Sequence, residues 1–374
     1  RNSKGNEPLK LKLAALDQLK SRDDVSRTLA EQHKVGMRSL FGFGVGQDLK
    51  QVDRNTVYIG QGGLGLPNRD YYFKENKAEI RTAYQSYIER MYTLLGNAPE
   101  TSSAFAKMVY DFELRLAGSM MAPEEARLPE KTYNKKTYTE ARQLFPSFDF
   151  ENYLITLGAQ AFDTIIVSQP DHLVNINDMM KEVPMENWIA YLKWKTINHY
   201  APALSEEFVN AHFKFYGGVL SGKKEMKPIT DRAIDEITGQ PIGELLGKAF
   251  VERTYSQNAH KRVNEMVDNL LKAFQERING LDWMSPETKA EALTKLNAIG
   301  RKLGYPDEWR DFSKLQIKKD DYLANLDNLA KFETAEELGK LYKPVNRKEW
   351  GMPAHMVNAY YHPLLNEIAF PAGI

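Results

Sequence analysis

The residues able to do chemistry in this chain are scattered. The seven histidines are His33, His172, His199, His212, His260, His355 and His362, and no two sit four apart on one helical face. Two imidazoles from one helix need that spacing to share a zinc ion. There is no cysteine, which excludes disulfides, thiolate metal sites and a cysteine nucleophile in these residues. No G-x-S-x-G run offers a serine elbow. Glu113 lies on an apolar helical face, where a carboxylate is either buried and paired or a catalytic acid. The paired structural role is the stronger reading.

Two glycine patterns call for a test. Gly60-Gln61-Gly62-Gly63-Leu64-Gly65 fits G-x-G-x-x-G, and a short β-branched run, Thr56–Ile59, precedes it. A dinucleotide site needs those glycines to open a helix. Here Leu66-Pro67-Asn68-Arg69-Asp70 follows, which is turn chemistry, so a structural loop is expected. Gly217 to Lys223 fits the spacing of a phosphate loop, but Lys224 stands where Ser or Thr must hold magnesium. A solvated basic loop is expected there. The residues alone therefore complete no catalytic constellation.

The elements that would position any site are mostly helices. Ile80, Tyr84, Tyr87, Ile88, Met91 and Leu95 recur at helical spacing over Asn76–Leu95. Phe105, Met108, Val109, Phe112 and Leu116 repeat the pattern over Ala104–Leu116. Ser285-Pro286-Glu287 stacks helix-start signals: a capping serine, a proline in the first turn, then an acid. Further helices are expected at Met185–Tyr200, Leu204–Phe213, Ile242–Gln257 and His260–Asn279. Strand signals are few: Thr56–Ile59, Thr164–Val167, and a closing pair, Asn358–Tyr361 and Glu367–Phe370, around a turn at His362–Asn366. The fold class is mainly α with a small β edge at the C-terminal end.

Composition bounds the rest. The chain has 374 residues, 42% hydrophobic, which suggests about two domains. Fifty basic residues balance fifty acidic ones, so no global field draws nucleic acid or an anionic membrane. No apolar run reaches the roughly 18 residues of a membrane span. The chain opens at Arg1 rather than Met and closes at Ile374 inside what reads as a packed element, as a piece of a longer protein would.

The closing stretch is the most specific. Val357-Asn358-Ala359-Tyr360-Tyr361 and Asn366-Glu367-Ile368-Ala369-Phe370-Pro371-Ala372-Gly373-Ile374 resemble the segment before the zinc motif in the neprilysin and endothelin-converting-enzyme family of metalloendopeptidases. Collinear matches run through the chain: Leu64-Gly65-Leu66-Pro67-Asn68-Arg69-Asp70-Tyr71-Tyr72, Tyr133-Asn134-Lys135, Leu281-Asp282-Trp283-Met284 and Gly304-Tyr305-Pro306-Asp307.

That resemblance implies a two-lobed metallopeptidase in which a helical cap lobe limits access to peptides. Residues 1–345 would be the cap lobe and its connections, and 346–374 the start of a thermolysin-like lobe. It implies zinc, held by an H-E-x-x-H helix and a glutamate, all C-terminal to Ile374; no metal ligand or catalytic residue is then expected in this chain. Asn358 and Ala359 would hold the substrate backbone, and Ile374 would line the pocket after the scissile bond. The implied partners are peptide substrates, cut on the amino side of bulky apolar residues, and a complementary C-terminal fragment. The missing disulfides point to a bacterial relative, and the family to a periplasmic or extracellular location. A non-catalytic helical peptide-binding module of the same descent is the alternative.

Overall fold

Amphipathic stripes in the first part of the chain are spaced to bury one another. The computed structural model, which describes residues 6–374, shows how they do so. The stripe over Asn76–Leu95 is the helix Ala78–Leu94, with Tyr84, Tyr87, Ile88 and Met91 buried. It packs against Pro99–Gly118, which buries Val109, Phe112, Glu113 and Leu116. Met185–Tyr200 forms over its predicted range, burying Trp188 and Tyr191 against Phe112 of Pro99–Gly118 and Trp194 against Tyr84 and Tyr87 of Ala78–Leu94. Ser285 caps Pro286–Asn297 as its position suggests, its hydroxyl accepting the Thr288 amide at 3.2 Å. The expected helix at Leu204–Phe213 covers Glu206–His212 and then widens into a π-helical turn, Phe213–Val219. Gly217 and Gly218 thus end a helical turn, and the basic loop begins only after it.

The chain divides into two compact units. Among the described residues the first comprises 6–48, 53–226 and 315–344. It holds a four-stranded sheet in the order β1-β2-β4-β3. β1 (Phe41–Gln47) runs antiparallel to β2 (Asn55–Gln61), while β3 (Lys135–Thr137) is antiparallel to β4 (Thr164–Val167) and β2 pairs β4 in parallel. β2 and β4 contain the two predicted β-branched runs. β1 gives no propensity signal because glycine alternates through Phe41-Gly42-Phe43-Gly44-Val45-Gly46. One of those glycines is required by a close approach. The Glu337 carboxylate occupies the space a Cβ on Gly44 would fill and accepts the Val45 amide at 3.0 Å.

The second unit comprises 49–52, 227–314 and 345–374. Its sheet has the order β5-β7-β6. β5 (Gly300–Gly304) pairs in parallel with β7 (Glu367–Pro371), and β6 (Tyr360–His362) pairs antiparallel with β7. The unit break lies at 344/345, and residues 227–314, helices and a strand, group with 345–374. The reason is the β5–β7 pairing, which joins segments more than sixty residues apart and leaves no local signature.

The two units differ in how they are filled. The first buries large rings, among them Trp188, Trp194, Tyr84, Tyr153, Phe41 and Phe145. The second buries small or medium side chains, such as Val251, Val267, Leu303, Leu365 and Ala369, together with charged Lys302 and Glu367. Its longest helix, Gln257–Asn279, buries only Val267 and leaves Met266, Leu270 and Phe274 exposed one turn apart. No helix among the described residues is long and apolar enough to cross a membrane.

Candidate functional site

β6 is an edge strand: β7 lies on one side, and no strand pairs with the other among the described residues. Such an edge presents backbone N–H and C=O groups to which an extended peptide can add. Asn358 and Ala359 lead directly into it. Asn358 is exposed, and its carboxamide oxygen accepts the Ala359 amide at 2.8 Å. Ala359 is half-buried and too small to block a close-lying backbone. The expected strand pair is thus present, shifted by two residues at its start, so that Asn358 and Ala359 form the approach to β6.

The hairpin is held by its own turn. Pro363 to Asn366 links β6 to β7, and Asn366 takes a left-handed conformation at φ 49°. Its carboxamide accepts the Tyr361 hydroxyl at 3.0 Å and donates to the Lys295 carbonyl at 2.9 Å. Tyr360 turns inward enough for its hydroxyl to accept the Gly351 amide at 3.1 Å, while Tyr361 is 46% exposed. On β7 the buried residues are Glu367, Ala369 and Pro371, and Ile368 and Phe370 are half-buried on the opposite face. The polar-apolar alternation was visible in the sequence, but its buried side is the one that starts with a carboxylate.

Ile374 is 59% exposed and follows a turn in which its amide donates to the Pro371 carbonyl at 3.2 Å. The Gly373 amide donates to the Ala354 carbonyl at 2.9 Å, so the segment after β7 runs beside the loop that leads to Asn358. The structure therefore places the three sequence-predicted residues in one unit. His355 in that loop pairs its Nε2 with the Thr238 hydroxyl at 2.9 Å, and burial pushes its imidazole below the usual histidine range.

Sequence reasoning missed the Lys302–Glu367 ion pair. The Lys302 ammonium meets the Glu367 carboxylate at 2.5 Å, and both side chains are buried. Neither residue carries a local signal of burial, because their pairing depends on the β5–β7 register.

The other chemical-looking motifs prove structural. The Gly60–Gly65 loop is pinned by side chains: Tyr191 and Lys195 donate to the Gly63 carbonyl, and Tyr216 to that of Gly65. A Cβ on Gly65 would overlap the Tyr84 hydroxyl. Glu113 accepts the Tyr72 and Tyr84 hydroxyls at 2.6 and 2.8 Å, and Trp194 donates to Tyr84 at 2.9 Å. Burial raises the Glu113 carboxyl above the usual carboxylate range, opposed by the Lys195 charge and the two hydroxyls. Two histidines clamp the first unit from within. His172 is fully buried between the Leu40 carbonyl and the Ser119 hydroxyl, and His33 bridges the Ser39 carbonyl and the Tyr153 hydroxyl. Among the described residues no three His, Asp or Glu side chains stand together to hold a metal. Zinc does not fit these residues.

Comparison with known proteins identifies the family. Residues 1–306 match the profile of the N-terminal part of peptidase family M13, and the chain belongs to that family. It is 30% identical over 365 residues to an endothelin-converting enzyme homolog of Locusta migratoria, covering 92% of this chain and 50% of that protein. It is 31% identical over 350 residues to endothelin-converting enzyme 1 of Cavia porcellus, covering 89% of this chain and 46% of that one. The solved structure of the Mycobacterium tuberculosis zinc metalloprotease Zmp1 in complex with an inhibitor superposes with a TM-score of 0.93 at 33% identity, over 99% of this chain and 56% of that chain. The PepO structure from Lactobacillus rhamnosis, at 22% identity and a TM-score of 0.86, shares the fold. The chain spans about half the length of the curated relatives it matches.

Proposed function

We propose that this chain supplies the helical, size-restricting cap and the substrate-backbone edge of a zinc-dependent endopeptidase. The observation that carries the reading is the open edge of β6, approached through Asn358 and Ala359, in a member of peptidase family M13. An extended peptide adds to β6 as a further strand. Asn358, with one acceptor and two donors on its carboxamide, clamps one peptide unit. Ile374 contributes to an apolar pocket for the residue after the scissile bond, giving cleavage on the amino side of bulky apolar residues.

The zinc and its ligands belong to residues other than these, in the half of the relatives' length that this chain does not span. Such a companion segment would pack on apolar surface, and the row Met266, Leu270 and Phe274 offers it. The working compartment in this reading is periplasmic or extracellular, which cell fractionation tests.

The functional test is Asn358→Ala in a protein of the relatives' full length. Peptide turnover should fall about fivefold to tenfold, the loss expected for one hydrogen bond, with the melting temperature unchanged. Unchanged turnover would remove the clamp role.

A second reading is a non-catalytic peptide-binding module of the same descent. Intact mass and zinc content of the purified protein separate the two. A companion polypeptide with stoichiometric zinc supports the peptidase, and peptide binding without zinc or cleavage supports the module.

A further inference from the structure

The binding edge rests on a sheet with little apolar filling, and a buried ion pair sits where the strands need registration. Lys302 and Glu367 are 8% and 4% exposed. In the parallel register Gly300 faces Glu367 and Lys302 faces Ala369, so the ion pair runs diagonally across β5 and β7. A second bond from the same ammonium reaches the Glu349 carbonyl at 2.6 Å. Two residues on, the Gly351 amide donates to the hydroxyl of Tyr360, the first residue of β6. Glu367 is also the register partner of His362 on β6. One ammonium thus ties β5 to β7 and both to the loop behind the edge.

Burying such a pair brings no general gain in stability over apolar side chains of similar volume. What it does impose is a penalty on misregistration. A slip of one residue turns Lys302 to the other face and strands the Glu367 carboxylate without its partner. In a sheet filled by small side chains, that penalty defines the register more sharply than packing can.

We infer that Lys302 and Glu367 are positioning residues for the peptide-binding edge: the ion pair fixes the β5–β7 register and, through Glu349 and Gly351, the placement of Tyr360 and of Asn358–Ala359 before it. The inference deepens the edge reading above and rests on it for its link to peptide.

The test uses this chain, with amide hydrogen exchange at Gly351 and Tyr360–His362 as one readout and NMR titration with an extended apolar peptide as the other. Lys302→Met with Glu367→Leu replaces the pair by apolar volume. Tyr360→Phe cuts the Gly351 link while leaving the pair intact, and keeps the experiment decisive should the double variant not fold. Expected for both is a melting temperature near that of the wild type, with exchange at Gly351 and Tyr360–His362 faster by about tenfold. Peptide affinity should be weaker by about fivefold. Lys302→Arg should restore protection to near the wild-type level. Wild-type protection and affinity in Tyr360→Phe, or in a folded double variant, would overturn the inference. If the wild-type chain shows no peptide-induced shifts, the edge reading fails, and the exchange rates still decide the positioning role.

Discussion

The Asn358 carboxamide oxygen accepts the amide hydrogen of Ala359 at 2.8 Å, so the two residues proposed to hold a peptide are bonded to each other. A peptide at the β6 edge has to displace or share that bond. Because Asn358 is exposed, its loss should alter stability by less than about 0.5 kcal/mol. Thermal unfolding of Asn358→Ala checks this, and a large fall in melting temperature would recast Asn358 as a structural cap.

Glu113 should be a stability residue. Glu113→Leu leaves the Tyr72 and Tyr84 hydroxyls without their acceptor and Lys195 without its counter-charge. The expected cost is about 3–5 kcal/mol, in the range for breaking a buried charge network. Chemical denaturation measures it; a cost below about 1 kcal/mol would reopen a chemical role for this carboxylate.

Acid should destabilise the first unit through two histidines. Burial lowers His33 and His172 to about 4, against an ordinary value of 6.5. Between those values the unfolded chain binds protons that the folded chain does not, so stability rises with pH across that window and is lost as pH falls through it. Each histidine contributes on the order of 2–3 kcal/mol by that linkage. Unfolding free energies measured from pH 7 down to pH 4 should fall, and His172→Asn should flatten the slope.

The Gly60–Gly65 loop should bind no nucleotide. Its carbonyls are held by Tyr191, Lys195 and Tyr216, and the Tyr191 and Tyr84 hydroxyls pack against Gly63 and Gly65. The melting temperature should not move with NAD or ATP, whereas Gly65→Ala should cost about 1–3 kcal/mol through the Tyr84 overlap. A clear nucleotide-induced shift would contradict this.

Phe274→Glu should leave the isolated chain as stable as the wild type, since Phe274 is 52% exposed. It should weaken association with a companion polypeptide corresponding to the remaining length of the relatives. Titration calorimetry of the two polypeptides tests this, and equal affinity would place the companion elsewhere.

What could be read from the sequence followed local physics. Helices with strong apolar stripes, such as Ala78–Leu94, and with stacked caps, such as Pro286–Asn297, appear where the spacing puts them. β1 stayed hidden because its alternate residues are glycines, one of which, Gly44, is fitted to the Glu337 carboxylate of a distant helix. β5 was hidden because Gly300–Gly304 becomes a strand only by pairing with β7. Asn358 and Ala359 were singled out by the family resemblance, and they stand directly before β6. The device beneath it was not legible, because Lys302 and Glu367 are 65 residues apart and polar, and only the register makes them neighbours.

The central claim is that the free edge of β6 takes an extended peptide as a further strand. Two or three edge bonds contribute about 2–3 kcal/mol, which corresponds to millimolar or weaker binding by this chain alone. An NMR titration of isotopically labelled chain with an extended apolar peptide suits that range. The account predicts saturable shifts centred on Ala359–His362 that weaken in Asn358→Ala. Shifts that avoid β6, or that are the same in Asn358→Ala as in the wild type, would contradict it.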